Sequence, residues 1–176
     1  MDSVGVFLVT GPSASGKTTV ASLLALEFSR GVHLEGDIFR RSIAAGREEI
    51  APEPSREALS QLLLRYRIAA AAADAYCEEA FVTVWEDVIA GAMLDRCVEL
   101  VRSRPLHVIV LLPGVDVVAS RDAARPNTGY KQWPLETLHT LFAKETPRIG
   151  LWLDSGRQTP EETVREIRRR SQEARV

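Results

Sequence analysis

Cysteine is scarce in this chain, basic residues do not outnumber acidic ones, and no apolar run is long enough to cross a bilayer. Each shortage excludes something. The two cysteines, Cys77 and Cys97, fall in segments with helical patterning and fit no ligand spacing, so they read as reduced buried thiols rather than a disulfide framework. With 22 Lys and Arg against 24 Asp and Glu, the net charge of −2 gives no general attraction to nucleic acid or to an anionic membrane. The alanine-rich stretch 68–73 is too short to span a membrane and is flanked by charge. The first apolar run is preceded by Asp2 and by no basic residue, unlike a secretion signal, so a cytoplasmic location is expected. There is no internal repeat and no low-complexity tail, and 176 residues suit a single domain, 1–176, with a proper core.

What is present starts at residues 4–10, VGVFLVT, a nearly uninterrupted apolar run expected of a parallel strand buried on both faces. Gly11-Pro12-Ser13-Ala14-Ser15-Gly16-Lys17-Thr18 then fits G-x-x-x-x-G-K-[ST] at every fixed position, and a helix-forming run follows Thr19. Strand, glycine loop and helix is the context this pattern needs. Gly11 and Gly16 permit angles and close approaches that a Cβ would block, so successive N–H groups from Ser13 to Thr19 can face one anion. The helix beginning near Lys17 adds its positive end. Lys17 is suited to the β- and γ-phosphates, and the Thr18 hydroxyl to Mg²⁺. An ordinary turn before a helix would explain the glycines but not the Lys-Thr pair. The expected ligand is ATP with Mg²⁺; no Asn-Lys-x-Asp run supports guanine.

Four further apolar runs, at 32–34, 81–85, 106–112 and 149–153, alternate with helical patterns near 17–29, 56–79, 88–103, 115–125, 134–145 and 160–173. Alternating strands and helices imply right-handed crossovers and a parallel sheet covered on both faces, an α/β architecture. Ligands of such sheets collect beyond the carboxyl ends of the strands. Thr159-Pro160-Glu161-Glu162 carries a capping box with proline in the first turn, Pro134 opens another helix, and Ser55 can cap the long one. Residues 46–54, with Glu48, Glu49, Pro52 and Pro54, read as a mobile loop. Arg168, Arg169 and Arg170 fall in the last turns of a helix, where they complement its dipole.

Asp37 follows the second strand and is expected to project opposite the phosphate loop, as a base for an acceptor hydroxyl or as a partner of magnesium-bound water. A helix N-cap is the other reading. Arg40, one turn on, suits an oxygen-rich acceptor group. Asp87, after the third strand, is expected to support the metal, with Glu86 competing for that role or lying toward the substrate; capping of the following helix by the pair is the other reading. Tyr66 and Trp85 read first as core, Tyr66 with a second reading at the substrate. Arg121 and Arg125 share one helix face ahead of a loop with Pro126, Gly129 and Lys131, so 121–133 is read as a lid bringing positive charge to the transferred group. A solvated arginine pair near Asp122 is the plainer reading. Residues 154–158 are placed to border the adenine.

These residues carry a resemblance: GPSASGKT, HLEGDIFR (33–40) and RDAAR (121–125) are similar to segments of the small P-loop kinases that include chloramphenicol phosphotransferase, gluconate kinase and adenylylsulfate kinase. The resemblance spans nearly the whole chain and implies a three-layer P-loop NTPase fold with a five-stranded parallel sheet in order 2-3-1-4-5. In chloramphenicol phosphotransferase, Asp37 has a counterpart that acts as base and Glu86-Asp87 a paired-acid counterpart; the Gly36-Asp37-x-x-Arg40 spacing is similar to that of adenylylsulfate kinases. The phenylalanine-rich insertion of the latter is absent, as are the arginine pattern of shikimate kinase and the long lid of adenylate kinase. The resemblance implies a kinase moving the γ-phosphoryl of MgATP to a hydroxyl of a small molecule such as an antibiotic or a sugar, with 38–80 as the acceptor-binding region. A polynucleotide 5′-hydroxyl kinase, which the acidic balance disfavours, and a nucleotide-dependent regulatory NTPase are the alternatives.

Overall fold

The computed structural model describes residues 4–124, 126 and 133–176. Strands β1 (Val6–Thr10), β2 (Gly31–Glu35), β3 (Val82–Asp87), β4 (Leu106–Leu111) and β5 (Leu151–Leu153) are all parallel, in spatial order β2-β3-β1-β4-β5. The expected sheet and strand order are both present.

The apolar run of β1 is explained by its two covered faces. Val6 and Leu8 pack into one layer with Tyr66 and Ala69 of helix α3 (Arg56–Glu78) and Leu94 of α4 (Met93–Leu100). Phe7 and Val9 pack into the other with Val20 and Leu24 of α1 (Lys17–Leu26) and Ile167 of α7 (Pro160–Arg169). Each fully buried Val or Leu contributes roughly 1.5–3 kcal/mol. On α3 the small side chains of Ala69, Ala70 and Ala73 let the helix lie close to the sheet, where Thr83 Oγ1 donates to the Ala73 carbonyl at 3.4 Å.

The same alternation runs through β3. Val82 and Val84 belong to the α1 layer and Trp85 to the α3 layer, so the next two residues diverge as well: Glu86 faces α1 and Asp87 faces α3. In register, Val9 pairs with Glu86 and Thr10 with Asp87, while Glu35 stands beside Glu86 on the other side. The carboxyl ends of three adjacent strands thus meet in one crevice.

Several boundaries differ from expectation for local reasons. The helix expected over 88–103 is only α4, because Ile89 and Gly91 donate their N–H groups to the hydroxyls of Thr10 and Thr146, and Gly91 takes φ 58°. After Asp37, a short helix α2 (Asp37–Arg41) forms with Gly36 at its N-cap, so Asp37 is a first-turn residue rather than the cap. The helix near 134–145 is α6 (Leu135–Thr140) followed by a π turn (Leu141–Glu145), whose freed Leu141 carbonyl accepts from Thr146 Oγ1 at 2.9 Å. The one near 115–125 is α5 (Val115–Ala123), and that near 160–173 breaks at Arg170 into α7 and α8 (Ser171–Ala174). The caps of α3 by Ser55 and of α7 by the Thr159–Glu162 box form as read. Loop 46–54 is tethered rather than loose: Gln61 donates to the Gly46 carbonyl and accepts from Glu48 N–H, and Glu49 pairs with Arg40. Both cysteines are free thiols. No described helix is long and apolar enough to cross a membrane.

Asp74 joins α3 to the segment after α4. Its carboxylate, on a residue only 2% exposed, accepts from the N–H groups of Arg102 and Ser103 at 3.1 and 2.8 Å and from Arg102 Nε at 3.1 Å. Burial pushes this carboxyl up, but the donors outweigh burial and hold it below its usual range. Asp74→Ala is expected to cost about 3 kcal/mol by orphaning two amides. A depressed carboxyl stabilises fully above its unfolded value of about 4 and loses that contribution as pH falls through the lower folded value. Denaturant unfolding at pH 7 and at pH 3 should therefore show a wide gap between wild type and variant that narrows in acid.

Candidate active site

The chain leaves β1 into a loop whose backbone is bent toward one point. At Gly11 (φ 155°) a Cβ would collide with the Leu111 carbonyl and approach Ser15 Oγ to 2.8 Å, so only glycine fits. Ala14 (φ 61°) and Gly16 (φ 93°) are left-handed, and Ser15 N–H donates back to the Pro12 carbonyl at 3.2 Å. Holding the non-glycine Ala14 there costs roughly 1 kcal/mol, a strain kept by the surrounding structure. Helix α1 starts at Lys17 with no side-chain cap. Ser15 Oγ is buried without a hydrogen-bond partner. Curled amides, an uncapped helix start and an orphaned buried hydroxyl together fit an oxyanion such as a phosphate.

On the α1 face of β3, Thr18 Oγ1 donates to Glu86 Oε1 at 3.0 Å. Glu86 is 3% exposed; burial pushes its carboxyl up, against the pull of Lys17 and the Thr18 hydrogen bond. A buried carboxylate beside a hydroxyl and a lysine is stabilised by a further cation. Among the described residues no cluster of three or more His, Cys, Asp or Glu could hold a metal by itself. Mg²⁺ does not require one, since it keeps several waters and combines one or two protein ligands with phosphates. Thr18 and Glu86 fit that demand.

Of the two acids considered for the metal, Glu86 is the one hydrogen-bonded to Thr18, whereas Asp87 is paired with Arg65. On the opposite face, Asp87 accepts from Arg65 Nε at 2.9 Å, from Arg65 Nη2 and from the Val88 N–H at 2.7 Å, and is 3% exposed. Burial pushes its carboxyl up to about 6 despite Arg65. Gly36 lets the two meet, because a Cβ there would strike the Asp87 carboxylate and lie 2.9 Å from Trp85 Nε1.

Arg65 continues to Asp37, its Nη1 donating at 3.3 Å. Asp37 also accepts from Arg40 Nε at 2.7 Å and lies 3.6 Å from Arg41 Nε. Burial raises the Asp37 carboxyl, but Arg40, Arg65 and Arg41 together hold it below the usual carboxylate range. Asp37 is therefore a firmly ionised hydrogen-bond acceptor and a weak base.

Ser13, Lys17, Thr18, Asp37, Glu86 and Asp87 line a single open cavity of about 990 Å³. Arg40 lines it as well. Tyr66 also lines the cavity; it is 1% exposed and donates its hydroxyl to the Val88 carbonyl at 2.8 Å. Trp85 is core. Arg121 does not line the cavity: its guanidinium donates to the carbonyls of Ser15 and Ser155 at 3.2 and 3.3 Å, joining the glycine loop to the segment after β5. Arg125 and residues 127–132 of the expected lid lie outside the described residues.

Arg65 escaped the sequence reading. Its signal was a charged side chain inside the stripe Ala58, Leu62, Arg65, Ala69 and Ala73, where α3 otherwise turns small or apolar groups inward. Glu49 and Trp133 were also missed; both line the cavity, and Trp133 Nε1 donates to the carbonyl of Ile50, another lining residue, at 3.0 Å.

A family model described as an AAA domain matches residues 6–146, from β1 through the π turn. No curated protein sequence matches the chain at a significant level. Among solved structures, a sugar kinase from Janibacter sp. HTCC2649 is 20% identical, with 98% of this chain and 96% of that one covered at a TM-score of 0.69. A gluconokinase from Sinorhizobium meliloti 1021 is 22% identical, with coverage of 96% and 94% and a TM-score of 0.63. The APS kinase CysC of Mycobacterium tuberculosis, in complex with AMPPNP and APS, is 15% identical, with coverage of 94% and 96% and a TM-score of 0.65. At these identities the likeness is one of fold, and it agrees with the small-kinase resemblance of the sequence.

Removing one partner of a buried ion pair leaves an uncompensated charge. Arg65→Leu is expected to destabilise the protein by about 3–5 kcal/mol, whereas Arg65→Leu combined with Asp87→Leu should recover most of that loss. Urea midpoints for the two singles and the double measure the coupling; a near-neutral Arg65→Leu would contradict the assignment.

Proposed function

The chain belongs to the AAA-domain family of P-loop proteins, and from that premise we propose that it is an ATP-dependent phosphotransferase acting on the hydroxyl of a small molecule. The observation that carries the reading is the shared cavity: the phosphate loop with its Thr18–Glu86 pair and the ionised Asp37 open into the same space. The AMPPNP and APS bound by the APS kinase of similar fold support the nucleotide half.

In this reading the loop amides from Ser13 to Thr19 and the start of α1 bind the polyphosphate, and Lys17 balances charge that builds on the γ-phosphoryl. Thr18, with Glu86 behind it, would hold Mg²⁺, which when bound neutralises phosphate oxygens and fixes their geometry. Asp37 accepts the hydrogen bond of the acceptor hydroxyl and orients its oxygen for attack. Being held acidic by three arginines, it takes up the proton only as the new P–O bond forms. Arg40 fixes the Asp37 carboxylate and 38–80 supplies the acceptor region. Arg121 steadies the loop on the nucleotide side, and residues 154–158 border the base. Arg125 and the rest of 121–133 serve as lid.

The reading is tested by phosphoryl transfer from ATP to a panel of alcohols. Lys17→Ala and Asp37→Asn are each expected to lower kcat/KM at least about a hundredfold. Glu86→Gln should raise the Mg²⁺ concentration needed for half-maximal rate, while Asp87→Asn should act mainly on stability. Unchanged transfer in Lys17→Ala and Asp37→Asn would contradict the roles given to them.

A further inference from the structure

We infer that the acceptor is an uncharged alcohol with an apolar body, and not a sugar acid or another anion; this deepens the phosphotransferase reading and rests on it. The cavity lining is of two kinds. Besides its charged groups it includes Leu59 and Leu62 of α3, Met93 of α4, Leu138 of α6, Leu141 of the π turn and Trp133, and all of these but Leu59 belong to one apolar cluster. None of these side chains offers a charge, and the Trp133 indole N–H is already given to Ile50. A polyhydroxylated ring placed there would lose water and gain few partners.

The charged part of the lining is already matched in sign. Among the described residues, each of the four arginines lining the cavity already faces carboxylates. Arg40 meets Asp37 at 2.7 Å and Glu49 at 2.6 Å, and Arg41 meets Glu35 at 2.9 Å. Arg47 lies 3.5 Å from Glu49, and Arg65 holds Asp87 and, at 3.3 Å, Asp37. Four arginines and Lys17 stand against five carboxylates, Glu35, Asp37, Glu49, Glu86 and Asp87. With Lys17 turned to phosphates, the described lining carries no excess positive charge for an acceptor carboxylate. An anionic acceptor would have to share an arginine with a carboxylate or displace it, and would add negative charge to a lining whose charges already balance. An apolar alcohol needs only Asp37 for its hydroxyl and gains from covering the leucine and methionine wall.

The test is calorimetry on the full chain with Mg²⁺ and AMPPNP present, titrating a matched pair, naphthylethanol and naphthylacetate. The alcohol is expected to bind at least about tenfold more tightly. Glu49→Gln, which takes a carboxylate from Arg40 and Arg47, should narrow that gap by improving naphthylacetate binding. Leu59→Asp, which puts charge on the apolar wall, should weaken naphthylethanol. If AMPPNP binds while the acid is bound as tightly as the alcohol, or neither probe binds, the acceptor class is overturned and the phosphotransferase reading is untouched. If wild type takes up no AMPPNP, the phosphotransferase reading fails, and this inference with it.

Discussion

The guanidinium of Arg65, carried inward by α3, is what lets acidic side chains from two strand ends stand together at one crevice. Asp87 is 3% exposed and Arg65 8% exposed, so neither charge is solvated well enough to stand alone. Each is tolerable because the other is there. From this fixed pair Arg65 extends a further N–H to Asp37, at the start of α2, and thereby ties the segment after β2 to the cavity. Gly36 completes the arrangement by leaving no Cβ between the turn and the Asp87 carboxylate.

Strand alternation then divides the labour between neighbours in sequence. Glu86 and Asp87 are consecutive, yet one looks toward the start of α1 and the other into the α3 layer. The first faces Thr18, Lys17 and the uncapped helix start; the second is consumed in holding the frame. In the proposed reaction the separation matters, because the metal-supporting carboxylate is not the one that keeps Arg65 and Asp37 in place. A change at either position disturbs a different property, binding in one case and folding in the other.

Much of this was legible before any coordinates. The apolar run at 4–10, the glycine pattern after it and the alternation of strands with helices carry the fold, because they reflect backbone periodicity and phosphate geometry that depend on local sequence alone. Asp37, Glu86 and Asp87 were found as polar residues at strand ends. The choice between Glu86 and Asp87 stays open in the sequence because it depends on strand phase: the assignment of Val84 to the α1 layer and Trp85 to the α3 layer is set by packing across the sheet. Arg65 was missed for a related reason. Its partners are 22 and 28 residues away, and nothing local to a helix rich in alanine and leucine announces an ion pair. Helix 88–103 was drawn too long since the hydroxyls of Thr10 and Thr146, distant in sequence, hold its first turn open.

The proposed function requires that the cradle of main-chain amides, with Thr18 and Glu86, bind a polyphosphate together with Mg²⁺. The most direct measurement is a calorimetric titration of the full chain with ATP, with and without Mg²⁺, repeated on Glu86→Gln. The account predicts saturable binding that tightens when Mg²⁺ is present, with much of that tightening lost in Glu86→Gln. Absence of any heat of binding for ATP in the presence of Mg²⁺ would contradict it.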